Sequence, residues 1–170
     1  MGDEEIGGVL KIRHGKDQKQ VQSSNGLYPI LGTGGLMGYA NNYLYNKPSV
    51  LIGRKGTIDK PQYMETPFWT VDTLFYSEIS ENYSARFIFY LFQQIEWKSF
   101  NEASGVPSLN AKTIENIEVS FPSFGEQNRI AKVIYDFEKE IKLADSKLQK
   151  FKLQKQGMMQ ALLTGKIRLV

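Results

Sequence analysis

The chain has no cysteine and only one histidine. The first absence excludes disulfides and thiolate-held metals. The second leaves His14 alone in the basic turn "KIRHGKDQK" (Lys11–Lys19), with no cysteine beside it from which a metal site is built. No metal ligands are therefore expected. No apolar run approaches the roughly 20 residues that cross a bilayer as a helix. The acidic start, Met1–Glu5, is not followed by the apolar segment of a secretory leader, so the expected compartment is the cytoplasm, with no membrane partner. No G-x-S-x-G elbow or H-E-x-x-H pair occurs. Asp59 and Asp72 are isolated carboxylates, and nothing assembles a nucleophile, a base and an oxyanion donor. The expectation is a binding module without catalytic residues.

What the chain does have is charge in blocks. Net charge is +3, yet residues 1–10 hold three acids and no base, and residues 11–60 hold eight bases and two acids. Residues 61–125 reverse this with three bases and eight acids, and residues 126–170 carry ten bases and five acids. Two basic segments flanking an acidic one suit local contact with a polyanion, or a solvated lysine surface. Hydrophobic residues make up 41% of 170, enough for the core of one domain or a domain with an extension.

"YPILGTGGLMGYANNYL" (Tyr28–Leu44) places Gly32, Gly34, Gly35 and Gly38 behind an apolar run, as phosphate-cradling turns do. The spacing, Gly32-x-Gly34-x-x-x-Gly38, departs from G-x-G-x-x-G. The following "YANNYLYNKP" has no helical period, and Arg54-Lys55 stand about 20 residues on, where an acid is expected. Three readings stay open. The glycines serve a nucleotide site in a small oxidoreductase, or a β-turn with φ > 0, or close approach of backbone to a large ligand. "IGRKGTI" (Ile52–Ile58) favours the last, because it sets Arg54 and Lys55 at a glycine-flanked tip, as "KIRHGKDQK" sets Arg13 and Lys16. Two basic turns on one domain suit phosphate and base-edge contacts.

The first 120 residues read as mixed α and β. Val9–Arg13, Tyr28–Leu31, Ser49–Gly53 and Phe68–Tyr76 are strand candidates bounded by Gly, Pro or Asn. Ser84–Trp97 follows helical spacing through Phe87, Tyr90, Leu91, Gln94 and Ile95, with Asn82 or Ser84 as its cap. Asn110 caps a short helix through Ile117, and "IEVSFP" alternates as a last strand. "SFGE" (Ser123–Glu126) then matches a capping box.

Steps of four and three from Ile130 reach Ile134, Phe137, Ile141, Ala144, Leu148, Phe151, Lys155, Met158 and Leu162. Nine of these ten positions are apolar, which predicts a coiled-coil seam of period 3.5 on a helix from Gly125 to Leu163. Gly165 is its stop signal; Lys155 and Gly157 interrupt it. One such helix must meet another, in a second copy or a partner, or fold back on its own domain. A purely structural coiled-coil adaptor with a protein-binding head is the remaining alternative.

Three segments taken together resemble the type I restriction-modification specificity subunits. They are "YPILGTGGLMGYANNYLYNKPSVLIGRKGTIDKPQYMETPFWTVDTLFY" and "SGVPSLNAKTIENIEVSFPSFGEQNRIAKVI", with Glu126-Gln127 opening the long helix, and the tail "QGMMQALLTGKIR". The resemblance implies an α+β fold: a mixed-sheet target recognition domain (residues 1–122) followed by one long C-terminal helix (residues 123–170), paired antiparallel in a dimer. In that family each recognition domain reads one half of a split DNA site. The helices hold two domains apart and dock methyltransferase subunits, which carry S-adenosylmethionine; whether a restriction subunit joins is left open. A full subunit has two domains and two helices, whereas this sequence has one of each and no internal repeat. The chain is then either a natural half-subunit or a fragment of a longer protein; the leading expectation is a non-catalytic half-subunit that homodimerises to read a split palindrome in double-stranded DNA and needs no cofactor itself. Arg13, Lys16, Arg54 and Lys55 are its expected DNA contacts. Ile130, Ile134, Phe137, Ile141, Leu148, Phe151, Met158 and Leu162 are its expected dimer interface.

Overall fold

The computed structural model describes residues 2–168, and the chain divides into two units, one reaching to Ala131 and the other starting at Lys132. In the first, strands and short helices alternate: β1 (Gly2–Glu5), α1 (Ile6–Val9), β2 (Leu10–Arg13), β3 (Tyr28–Gly32), β4 (Gly35–Ala40), β5 (Ser49–Gly53), β6 (Gln62–Met64), β7 (Trp69–Thr70), β8 (Leu74–Ile79), α2 (Ala85–Gln94), α3 (Ala111–Glu115) and β9 (Glu118–Phe121). A 3-10 turn, Trp97–Phe100, follows α2. Three sheets result. One is β1-β9, one is β2-β8-β5-β6, and one is β4-β3-β7, in which β7 runs parallel to β3 and β4 antiparallel to it. The class is α+β with mixed sheets.

Strand β5 organises the core. All five of its residues are buried, and its side chains alternate between two apolar clusters. Val50 and Ile52 join Ile12, Phe75, Ile88, Phe92 and Trp97 on one face, while Leu51 joins Leu31, Phe68, Leu74 and Tyr76 on the other. Beside β5 the hydroxyls of Ser49 and Ser77 are fully buried and mutually satisfied. Ser49 Oγ lies 2.7 Å from the Ser77 carbonyl, and the Val50 N–H donates to Ser77 Oγ at 2.9 Å.

Two strand expectations need correction. Phe68–Tyr76 is not one strand: Trp69–Thr70 pairs parallel with β3, and Leu74–Ile79 lies between β2 and β5. The chain changes sheets at Val71–Thr73, where no Gly or Pro marks the break and the β-branched Thr70, Val71 and Thr73 read as strand. Val9 ends α1, so the strand starts at Leu10. Helix α2 is shorter than Ser84–Trp97, and its fully buried pair is Ile88 and Phe92, one turn apart. Phe87, Leu91 and Ile95 pack at the margin of that cluster. Asn110 caps α3, its side chain accepting from the Lys112 N–H at 2.9 Å, although α3 stops at Glu115.

Helix α4 runs unbroken over Phe124–Leu163, 40 residues, on the order of 60 Å. The Ser123 carbonyl accepts from the N–H groups of Glu126 and Gln127, both at 2.9 Å. Gln127, not Glu126, supplies the buried side-chain bonds of this start. It is 1% exposed, accepts from the Ser84 N–H and donates to the Pro122 carbonyl, each at 2.9 Å. That amide ties the first turn of α4 to the residue preceding α2. At the far end Gly165 has φ +72°, the left-handed conformation of a C-cap.

Candidate nucleic-acid interface

The glycine run is a β-hairpin. Gly32 pairs with Gly35 across the two-residue loop Thr33–Gly34, and Gly35 has φ +104°, which a side chain would strain. A strand follows the glycines, so the helix N-terminus that a dinucleotide fingerprint requires is not there. The hairpin is tied down beside its turn, where Gln62 Nε2 donates to the Gly32 carbonyl at 2.8 Å.

Both basic turns approach the same place, the crossing segment Thr70–Thr73. Arg54 and Lys55 donate their backbone N–H groups to the Thr73 carbonyl, and the Arg54 Nε donates to the Asp72 carbonyl at 2.8 Å. From the other side, the Lys16 N–H donates to the Thr70 carbonyl at 2.8 Å, and the Lys16 carbonyl accepts from Trp69 Nε1 at 2.9 Å. Gly15 is needed there, since a β-carbon would sit 2.0 Å from the Val71 carbonyl oxygen. The hairpin is the third neighbour: a β-carbon on Gly32 would lie 3.7 Å from Val71 Cγ2, and one on Gly56 3.6 Å from Thr33 Oγ1. His14, Arg54 and Lys55 line one polar cleft of about 260 Å³, together with Glu102, Ser108 and Asn110.

The four expected DNA contacts differ in availability. Arg13 is exposed at the end of β2, but its Nε donates to Glu78 at 2.8 Å, and this partner raises the guanidinium pKa. Arg54 faces the Asp72 carboxylate at 3.6 Å, so part of its role is to hold its own turn. Lys16 and Lys55 are exposed, and their ammonium groups have no ion pair or hydrogen bond among the described residues. Sequence reasoning missed the crossing segment, because Phe68–Tyr76 reads as a single strand. It also missed the apolar outer surface of the hairpin, where Leu36 is 58% and Met37 55% exposed.

The expected interface residues lie along α4. Ile130, Ile134 and Leu162 are half-buried, while Phe137, Ile141, Leu148, Phe151 and Met158 are 49–62% exposed. Every residue from Lys139 to Gln160 is exposed. Near the end of α4, Phe151, Met158, Met159, Leu162 and Leu163 line an apolar groove of about 600 Å³. No helix among the described residues is long and apolar enough to cross a membrane.

Residues 2–153 match the family described as the type I restriction modification DNA specificity domain. The chain belongs to that family. A specificity subunit of a type I restriction enzyme from Methanocaldococcus jannaschii is 34% identical over 67 residues, 39% of this chain and 16% of that protein. A Mycoplasma pneumoniae protein named as a type I specificity subunit is 26% identical over 144 residues, 79% of this chain and 47% of the other. Among solved structures, the type I restriction-modification S subunit from M. genitalium matches with a TM-score of 0.73 at 14% identity, covering 94% of this chain and 45% of that one. The HsdS subunit from Thermoanaerobacter tengcongensis matches with a TM-score of 0.65 at 12% identity, over 84% and 38%. This specificity-domain chain thus spans about half or less of the length of these relatives. It carries one recognition-type α+β unit and one long helix.

Proposed function

We propose that this chain is a non-catalytic, cytoplasmic DNA-recognition half-subunit that pairs with a second copy through α4. Residues 1–122 read one half-site, and residues 123–170 hold the two readers apart and dock the methyltransferase subunits. S-adenosylmethionine then sits on the methyltransferase, and a restriction subunit joins the same assembly. The observation that carries the reading is the 3.5-period seam exposed along α4. A lone helix leaves that apolar seam in water, and an antiparallel copy buries it while placing identical heads at opposite ends. Two-fold symmetry then calls for a palindromic, interrupted target. A helix of roughly 60 Å, set against about 3.4 Å per base pair, allows half-site separations of one helical turn or somewhat more. Arg13, Lys16, Arg54 and Lys55 supply phosphate contacts, with the two lysines as the principal ones.

The test is co-expression with methyltransferase subunits of this system type, followed by sequencing of methylated sites. An interrupted palindrome is the expected result. A motif with two unrelated halves removes the two-fold pairing. Failure to retain duplex DNA at low salt removes DNA recognition and leaves the protein-binding adaptor.

A further inference from the structure

We infer that the β3–β4 hairpin, with the amide-rich segment packed along β4, is the element that enters the major groove and reads base edges. The inference rests on the DNA-recognition reading and adds which surface makes the distinction between sequences.

Charge comes first. No aspartate or glutamate occurs from Gln18 to Ile58, whereas Lys19, Lys47, Arg54 and Lys55 do. Lys19 faces Asp17 at 3.9 Å and Lys47 faces Glu81 at 3.7 Å, both as exposed pairs that phosphate can displace. A segment of 41 consecutive residues that adds no carboxylate of its own favours approach of a polyanion, although Asp72 and Glu102 stand beside Arg54 and Lys55.

Side-chain chemistry is second. Gln20, Gln22, Asn25, Asn41, Asn42 and Asn46 are exposed in or beside this lobe. Amides are the side chains that pair bidentately with adenine, and apolar groups meet the thymine methyl. Leu36, Met37 and Tyr39 supply the apolar part at 58%, 55% and 45% exposure. An apolar surface on an edge strand is otherwise a liability, and one interspersed with amides and lysines suits a wet, anionic partner better than a protein core.

Geometry is third. Strand β3 is held on its other side by β7 at Ile30 and Leu31, so the part of the hairpin offered to a groove about 12 Å wide is β4 with its exposed side chains. The outer edge of β4 is covered only at its C-terminal part, where Ser23 and Asn41 bond across to Tyr39 and Val21. At the turn, Gly32 is held by Gln62, while the Gly34–Gly35 side is open: β-carbons built on Gly34 or Gly35 meet nothing within 4 Å. Thr33 at the tip lies beside Gly56, so the hairpin stands next to the Arg54–Lys55 turn. A reader and a phosphate clamp are thereby adjacent.

The experiment selects duplexes from an oligonucleotide pool with a randomised core on the full chain, then compares the selected duplex with a mixed-sequence one. Two variants are carried alongside: Leu36→Ser with Met37→Ser, and Asn41→Ala. Both change exposed side chains, and circular dichroism checks their folding. The expected result is an unchanged salt slope on mixed-sequence duplex and a loss of preference for the selected duplex of roughly 5- to 150-fold, the value of one good base contact. If the wild type selects a sequence and both variants prefer it equally, this inference fails and DNA recognition stands. If the variants keep that preference but lose the methyltransferase subunit, the face is a protein dock and the inference is overturned. If the wild type neither binds nor selects DNA, the underlying reading fails, and this one with it.

Discussion

Lys16 and Lys55 carry charges that nothing in the described chain neutralises, while Arg13 and Arg54 already hold carboxylates. Residue type alone ranks the arginines higher, because their forked donors match phosphate. Local pairing reverses that order. Removing one cation that neutralises a phosphate lowers the salt slope on a log–log plot by about 0.9. Lys16→Ala with Lys55→Ala should therefore flatten it by nearly two units, and Arg13→Ala by less than one. Titration of a mixed-sequence duplex at several salt concentrations measures this, and an unchanged slope for the lysine pair removes both from the interface. Gln127 sets a different prediction. Its amide satisfies the Ser84 N–H and the Pro122 carbonyl inside a buried contact. Gln127→Leu keeps the volume and orphans both groups, so urea unfolding should show a loss of roughly 2 kcal/mol or more. A loss under half that size would mean water replaces the amide.

At the scale of elements, legibility followed how far a segment's environment is uniform. Ser49–Gly53 is buried on both faces and reads as a strand from composition alone. The Asn110 cap reads from its position before an apolar period. Strand β4 was hidden because Gly35 and Gly38 are poor strand formers, and only pairing with β3 makes them one. The meeting of the two basic turns was hidden for a stronger reason. Their common neighbour, Thr70–Thr73, lies far from either in sequence, and no local pattern encodes that approach. Helix α4 was the most legible of all, since one apolar period sustained from Ile130 to Leu162, broken only at Lys155, leaves little else to compete. Its seam makes a sharp prediction. Phe137 is 62% exposed, so Phe137→Lys leaves the fold of the chain intact. In a paired seam the new charge is desolvated, and sedimentation should show monomers with unchanged helical circular dichroism. A variant that stays dimeric removes Phe137 from the seam, and one that unfolds points to packing against its own domain.

For the whole molecule, the proposed pairing would make α4 a ruler that converts residue count into base pairs. If two copies pair antiparallel with their heads at opposite ends, the distance between heads is set by the length of α4. Deleting Lys142–Leu148 removes one heptad and keeps the seam in register, because Ile141 is then followed three positions later by Phe151. Seven residues at 1.5 Å shorten the spacer by about 10.5 Å, close to three base pairs at 3.4 Å each. The head keeps nearly its angle about the helix, since a heptad is within about 20° of two full turns. The duplex does not, because three base pairs rotate the far half-site by roughly a third of a turn. Length and rotation thus disagree, so the deletion should shorten the methylated motif's gap by about three base pairs and also lower the efficiency of methylation. Re-inserting the heptad restores both. An unchanged gap at unchanged efficiency would mean that something other than α4 sets the distance between the two readers.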